Sequence, residues 1–258
     1  MKVVILAGGL GTRISEESHL KPKPMVEIGD KPILWHIMKN FSSQGFNDFI
    51  ICLGYKGYII KEYFSNYFLH NSDITIEVKD NNIKVHNSNA EDFIVTLVET
   101  GLHTKTAGRL KRIQTYVKDE EFILTYGDGV CDIDLQKLIN FHKGHSQVAT
   151  VTAIQPVGRY GVMQINSDNS VGVFMEKMKG DEGWINGGYF ILRPQVFDYL
   201  PPDADNVMWE ESPMQKLAKN NQLMAYQHEG FWKCMDAIRD KIELEEIWNS
   251  GNAKWKIW

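Results

Sequence analysis

The chain has 258 residues, of which 43% are hydrophobic and 24% charged, and a formal net charge of −5. That length suits one large domain, able to bury roughly 70–75% of the surface its unfolded form exposes without disulfide or metal staples. The acidic balance without a basic stripe excludes a nucleic-acid partner, and no apolar run is long enough to span a bilayer.

The N-terminus passes from Met1-Lys2 straight into Val3-Val4-Ile5-Leu6-Ala7, too short for a signal-peptide core. Cys52, Cys131 and Cys234 are far apart, give no disulfide framework and suit a reducing compartment and structural roles. The expected location is cytoplasmic.

Val3 to Ala7 reads as a buried strand that Gly8-Gly9 ends in a tight loop. Asp30-Lys31-Pro32 then predicts the start of a helix, with Asp30 as its cap and Ile33, Ile37 and Phe41 at helical spacing. Phe49 to Leu53 predicts a second buried strand, and Gly57 to Tyr67 a second helix. Phe122 to Thr125 predicts a strand stopped by Gly127-Asp128-Gly129. A helix from about Asp134 to His142 and a strand from Val148 to Thr152 follow. Beyond Pro156 shorter strands are expected at Gly161–Ile165, Gly172–Met175 and Tyr189–Leu192, and helices at Glu210–Lys219 and Ala237–Trp248.

Alternating strands and helices over the first 155 residues predict an α/β fold, a mostly parallel mixed sheet with helices on both faces. Residues from about 156 to 258 read as a small extension of the same sheet that covers the crevice. With no flexible linker, low-complexity tract or repeat, the expected organisation is one domain over 1–258. In such folds ligands sit beyond the carboxyl ends of the strands, so the Gly8-Gly9 and Gly127-Asp128 loops are expected to face one crevice.

The sharpest chemical signal is Leu6-Ala7-Gly8-Gly9-Leu10-Gly11-Thr12-Arg13 with Lys21-Pro22-Lys23-Pro24-Met25 behind it. Three glycines in four positions let a backbone approach a ligand and turn N–H groups to phosphate oxygens. Arg13 can grip such oxygens with a planar fork, and Lys23 adds a point charge. The spacing is neither GxGxxG nor GxxxxGK[ST], so this is not a standard dinucleotide or P-loop site.

GGLGTR with a downstream PKPM resembles the signature of the sugar-phosphate nucleotidyltransferase family. Tyr126-Gly127-Asp128-Gly129, Glu176-Lys177, Asn186-Gly187-Gly188-Tyr189 and the stretch Asp236 to Asp240 occur in that family's order, so the likeness spans nearly the whole chain. Within the family, LAGGLGTRISEE, KPKPMVEIGDKPILWHIMK and GYKGYIIKEYF are similar to the members that use CTP and glucose 1-phosphate. The resemblance implies a Rossmann-like nucleotidyltransferase fold and transfer of a cytidylyl group to glucose 1-phosphate. The products would be CDP-glucose, for deoxysugar, lipopolysaccharide and O-antigen synthesis, and pyrophosphate. Transfer to another pyrimidine nucleotide by a thymidylyl- or uridylyltransferase is the nearest alternative, and a non-catalytic sugar-nucleotide sensor a more distant one.

The resemblance also implies roles. The backbone from Leu6 through Ala7, Gly8 and Gly9 to Leu10 would hold base and sugar, and Gly11, Thr12 and Arg13 the phosphates, with Gly127 beside them. Lys23 would stabilise the triphosphate and the leaving pyrophosphate. Asp128 and Asp236 would hold Mg2+. Thr104 and Arg109 match a nucleotide-contacting loop. Lys177 would grip the sugar phosphate, while Glu176 and Asn186 with Gly187 would read the sugar hydroxyls. Many members carry Pro after the Glu-Lys pair; here it is Met178, which leaves nearby Lys179 as an alternative. A homo-oligomer is implied as well.

The chemistry agrees with this assignment. A sugar phosphate has its second pKa near 6, so its oxygen is already a charged nucleophile and no triad or general base is needed. Bringing two anions together demands fixed cations, and Mg2+ prefers a few carboxylates plus substrate phosphates. Plainer readings stand beside these. Asp128 could be a turn residue and Asp236 a helix cap; Asp132 and Asp134 look like alternative metal ligands, but structural roles suit the pair better, with Asp134 as the cap of the next helix. His142 and His145 have a spacing that can bind zinc, but no third ligand lies near in sequence. Trp255-Lys256-Ile257-Trp258 and the Tyr63-Phe64-Tyr67-Phe68 cluster could pack on their own chain or on a second copy.

Overall fold

The computed structural model describes residues 1–14, 19–117, 119–156, 162–165, 170–175 and 183–258. In chain order the first strands are β1 (Val3–Leu6), β2 (Glu27–Ile28), β3 (Lys31–Pro32), β4 (Asp48–Leu53), β5 (Ser72–Glu77), β6 (Asn82–Ser88) and β7 (Ile94–Glu99). Helices α1 (Ile33–Ser43), α2 (Gly57–His70), α3 (Thr106–Arg112) and α4 (Gln114–Val117) are interleaved with them. The later strands are β8 (Phe122–Tyr126), β9 (Gly129–Cys131), β10 (Ala149–Ile154), β11 (Val162–Ile165), β12 (Val171–Met175), β13 (Ile185–Leu192), β14 (Leu223–His228) and β15 (Trp232–Cys234). Helices α5 (Leu135–Lys143), α6 (Ser212–Lys219) and α7 (Ile238–Asn249) complete the order.

Seven strands form the central sheet in the order β14-β10-β13-β8-β1-β4-β7. β1 runs parallel to β4 and β8, β4 to β7, and β10 to β14, while β13 is antiparallel to both its neighbours. The sheet is therefore mixed and mostly parallel, as expected, and residues from both halves of the chain share it. Alternation along the strands sends side chains to opposite faces. Val3, Ile5, Phe49, Ile51 and Ile123 pack with α1 and α5 in one core, and Val4, Leu6, Ile50, Phe122 and Leu124 with α3 and α6 in the other. Such strands carry apolar residues at nearly every position because helices cover both faces.

Several local details differ from the sequence reading. Asp30 does not cap α1. Gly29-Asp30 is the turn of the small β2–β3 ribbon, Pro32 occupies the cap position, and the Ile33 N–H donates to Val26 O at 2.8 Å. The helix expected from Glu210 begins only at Ser212, and Glu210 has another use, described below. Asp134 does cap α5, its carboxylate accepting from the Lys137 N–H at 3.0 Å. The Asp236 carboxylate is not the cap of α7; Ala237 is the cap residue, and Asp240 accepts from the N–H groups of Asp236 and Ala237 at 3.0 and 2.8 Å. β11 and β12 pair as an antiparallel ribbon close to where short strands are predicted, with Gly161 outside the described residues.

The C-terminal aromatics pack on their own chain: Trp255 stacks with Phe231 and Trp248, and Trp258 meets Trp35 edge-on at 5.8 Å. Tyr63, Phe64 and Tyr67 cluster with one another, Tyr67 also meeting Phe93, whereas Phe68 is exposed. His142 and His145 do not form a metal pair. Both rings lie on the Thr150 hydroxyl, at 2.7 and 2.8 Å, and burial aided by the Arg193 charge pushes His142 down to about 4.

Candidate active site

The site grows from the ends of β1 and β8. Leu6 and Tyr126 are register partners on these parallel neighbours, and the Gly127 N–H donates to Leu6 O at 3.1 Å. The chain segments that follow must leave the sheet along the same edge, as strand carboxyl ends in α/β sheets dictate. Between them lies a cavity of about 490 Å3. Leu6 to Thr12, Lys23, Thr104, Arg109, Gly127, Asp128 and Asp236 all line it. Stretches of chain far apart in sequence meet there.

Lys23, in a 3-10 turn behind the glycine loop, is the electrostatic centre. Its Nζ lies 2.6 Å from Asp128 Oδ2 and 2.9 Å from Asp236 Oδ1. Burial opposes its charge, but the Asp128 and Asp236 carboxylates outweigh that and hold Lys23 above the ordinary lysine range. One cation thus touches two carboxylates at the bottom of a crevice, and that arrangement tests the fit of a divalent ion. Two hard oxygen donors that reach a common point suit Mg2+, which commonly takes one or two carboxylates and completes its shell with water and phosphate. Cys234 Sγ lies in the same group. Burial, with Asp128 alongside, raises its thiol well above the usual range, and its soft sulfur is a poor ligand for a hard ion.

Arg109, from α3, runs beneath the glycine loop. Its guanidinium donates to Gly8 O at 2.9 Å, Leu53 O at 2.9 Å and Thr100 Oγ1 at 2.7 Å. A Cβ on Gly8 would lie 2.0 Å from Arg109 Nη1, so glycine there is a packing requirement as well as a ligand-facing one. Thr104 Oγ1 accepts from Arg112 at 2.6 Å, and Arg112 also pairs with Asp205 at 2.7 Å. The Lys105 and Ala107 N–H groups donate to Asp205 O and Val207 O, so the wall that carries Thr104 is pinned to the 204–207 turn.

On the far side of β8, Asn186 and Gly187 lie on β13. Asn186 Oδ1 accepts from the Gly188 N–H at 2.8 Å, and Trp232 Nε1 donates to Gly187 O at 2.7 Å. A second cavity, of about 910 Å3, opens here between Gln155, Ile185, Trp232 and Asp236; Asp236 faces both. Glu176 and Lys177, with Met178 and Lys179, lie outside the described residues, as does the side chain of Arg13. Sequence reasoning gave no site role to Tyr126, Thr106 or Glu210, and to Cys234 only a structural one. Tyr126 stands beside Asp128 in a motif that was legible, but the side chains that meet it come from distant segments.

Residues 2–246 match the model of the nucleotidyl transferase family. The chain is 56% identical to the glucose-1-phosphate cytidylyltransferase of Salmonella typhimurium, with each chain covered over its full length. It is 45% identical, again with full coverage of both, to a probable glucose-1-phosphate cytidylyltransferase of Bacillus subtilis. Among solved structures, that of HddC from Yersinia pseudotuberculosis superposes with a TM-score of 0.68 at 26% identity, covering 96% of this chain and 99% of the other.

Proposed function

The chain belongs to the nucleotidyl transferase family, and on that premise we propose that it transfers a cytidylyl group from CTP to glucose 1-phosphate, giving CDP-glucose and pyrophosphate. The observation that carries the reaction class is the Lys23–Asp128–Asp236 cluster at the open end of the glycine loop. The choice of CTP and glucose is supported by the full-length relatives that bear that activity in their names.

A phosphate oxygen of glucose 1-phosphate attacks the α-phosphorus in line. The bond from that phosphorus to the bridging oxygen breaks, and pyrophosphate leaves with the electron pair. No proton must be removed from the nucleophile, so the chain needs no general base. The glycine loop offers main-chain N–H groups to the phosphates, and Arg109 underneath fixes the loop's course. Lys23 is placed to meet the charge that grows on the leaving group. Mg2+, held by Asp128 and Asp236, would supply neutralisation of triphosphate charge. Lys177 is assigned to the sugar phosphate, and Glu176, Asn186 and Gly187 to the sugar. CDP-glucose made in the cytoplasm would feed deoxysugar and surface-polysaccharide synthesis.

Pyrophosphate release measured with Mg2+, glucose 1-phosphate and, in parallel, CTP, UTP and dTTP tests the reading. Release with CTP alone is expected. Release with UTP or dTTP in its place would make the chain a uridylyl- or thymidylyltransferase, and binding without release would make it a sensor.

The chain is read as one domain, supported by the sheet that its two halves share, and as a homo-oligomer. The β5–β6 ribbon stands apart from the central sheet, and Ile74 and Ile76 pair with Val85 and Ile83 across it. Ile76, Ile83 and Val85 are all exposed. A two-stranded ribbon is marginal alone in water, and burying that face against a second copy would stabilise it. Sedimentation velocity is expected to show an oligomer for the wild type and a smaller species for Ile83→Lys; a monomeric wild type would remove the assignment.

A further inference from the structure

Glu210 lies just before α6, between the nucleotide cavity and the sugar-facing strand. One carboxylate oxygen accepts from Thr106 Oγ1 at 2.8 Å, and the other accepts from the Tyr126 hydroxyl. Thr106 opens α3, the helix that carries Arg109 under the glycine loop, and lines the nucleotide cavity. Tyr126 ends β8 beside Gly127 and Asp128, and its hydroxyl oxygen accepts from Asn186 Nδ2 at 3.3 Å. One carboxylate thus joins the wall assigned to the nucleotide to the side chain assigned to the sugar.

Donor and acceptor counting gives this contact direction. An ionised carboxylate only accepts, so both hydroxyls must donate to it. The Thr106 oxygen is then left to accept, and it takes the Trp209 N–H at 2.7 Å. The Tyr126 oxygen is likewise left to accept, and it takes the Asn186 amide N–H. Asn186 is held at its other end by the Gly188 N–H on Oδ1, so its amide has one orientation, with the second N–H and a carbonyl lone pair left for a ligand. Gly188 fits the same arrangement: at φ +80, a Cβ there would lie 2.6 Å from the Tyr126 ring.

We propose that Glu210 is a positioning residue that sets the hydrogen-bonding polarity of Asn186 through Tyr126 and the start of α3 through Thr106, so that sugar phosphate and nucleotide are aligned together. This rests on the functional reading given above. Glu210→Gln puts a donor where one acceptor stood and breaks one arm of the bridge. Tyr126→Phe removes only the hydroxyl on the sugar side.

Steady-state kinetics with each substrate varied, together with thermal melting, test the proposal. Glu210→Gln is expected to raise KM for both CTP and glucose 1-phosphate, with kcat/KM for the sugar phosphate down about tenfold, the scale of an unmatched buried polar contact. Its melting temperature should stay within a few degrees of wild type. Tyr126→Phe should raise KM for glucose 1-phosphate and leave that for CTP unchanged. The double variant should be no worse toward the sugar phosphate than Glu210→Gln alone, since both cut one chain of contacts. Both KM values of Glu210→Gln within about twofold of wild type would overturn the proposal, as would sugar-phosphate effects that multiply in the double variant. Should Glu210→Gln fail to fold, an unchanged KM for glucose 1-phosphate in Tyr126→Phe overturns it alone. Calorimetric binding of glucose 1-phosphate to wild type and Tyr126→Phe separates the two readings. Weaker binding to the variant supports the positioning role even if no triphosphate yields pyrophosphate, the result that would sink the transferase reading by itself.

Discussion

Asp128→Ala should lower kcat/KM by at least about a thousandfold, the upper end of what losing one fixed electrostatic stabiliser costs, while the chain stays folded. The carboxylate is one of two that reach the same point, at 2.6 Å from Lys23 Nζ, and a divalent ion left with Asp236 alone would lose half its protein donors. The backbone at 128 does not depend on the side chain, because Asp128 O accepts from the Met235 N–H at 2.9 Å and Gly127 is tied to Leu6. Lys23 also keeps Asp236 as a partner. The melting temperature should therefore fall by only a few degrees, the shift that about 1 kcal/mol gives in a chain of this size. Asp128→Asn should behave alike, since an amide offers a neutral oxygen in the same place. Titration of metal into the variant, read by thermal shift, should show weakened stabilisation with no turnover involved. Wild-type kcat/KM in Asp128→Ala would remove the residue from the metal site and return it to the plain-turn reading.

The parts of this site that were legible in the sequence are those written in local pattern. Val3 to Leu6 followed by Gly8-Gly9 marks a buried strand and a loop, because four apolar residues with no polar break can only be covered on both faces. Asp134 was readable as a cap because its bond to the Lys137 N–H spans three residues. Asp30 misled for the same local reason. Asp-Lys-Pro before an apolar helix fits a cap signal, but Gly29 closes a two-strand ribbon that outcompetes it and gives Val26 O the first helical N–H. The contacts that make chemistry are nonlocal. Lys23 meets Asp128 from 105 residues away and Asp236 from 213, and Glu210 meets Tyr126 from 84. Asp236 reaches Asp128 because β15 pairs antiparallel with β9, Cys234 opposite Gly129, and β13, inserted antiparallel between β8 and β10, sets Asn186 near Tyr126. A motif resemblance named Lys23, Asp128 and Asp236, but nothing in composition or spacing could have paired them. For Glu210 there was no motif at all, and its place just before α6 made it look like part of a helix.

Lys23→Ala should cost about 2–4 kcal/mol of transition-state stabilisation, seen mainly as a roughly thirty- to nine-hundredfold loss in kcat. Its Nζ pairs with Asp128 and Asp236 at 2.6 and 2.9 Å, which uses two of the three ammonium donors. A divalent ion held by Asp128 and Asp236 would take up their negative charge and would leave Lys23 to face the phosphates. In the metal-free chain its charge is secured by the paired carboxylates, which raise its affinity for a proton above the ordinary lysine value against the opposing effect of burial. Raised in the folded state, Lys23 contributes stability that is present at neutral pH and is lost only as pH rises past the ordinary lysine range. The melting temperature of the metal-free chain should accordingly show no alkaline loss from Lys23 between about pH 6 and 9. The same geometry makes Lys23 and a divalent ion competitors. Removing the lysine leaves two carboxylates facing each other uncompensated, and like charges at such a distance repel. The variant should therefore bind Mg2+ more tightly than wild type while turning over far more slowly. Calorimetric titration of Mg2+ against wild type and Lys23→Ala reads the first effect, and pyrophosphate release the second. Unaltered metal affinity would show that the ion is held elsewhere, and unaltered turnover would pass the role at the leaving group to another cation such as Lys21, whose Nζ in this structure pairs with Glu27 at 2.9 Å.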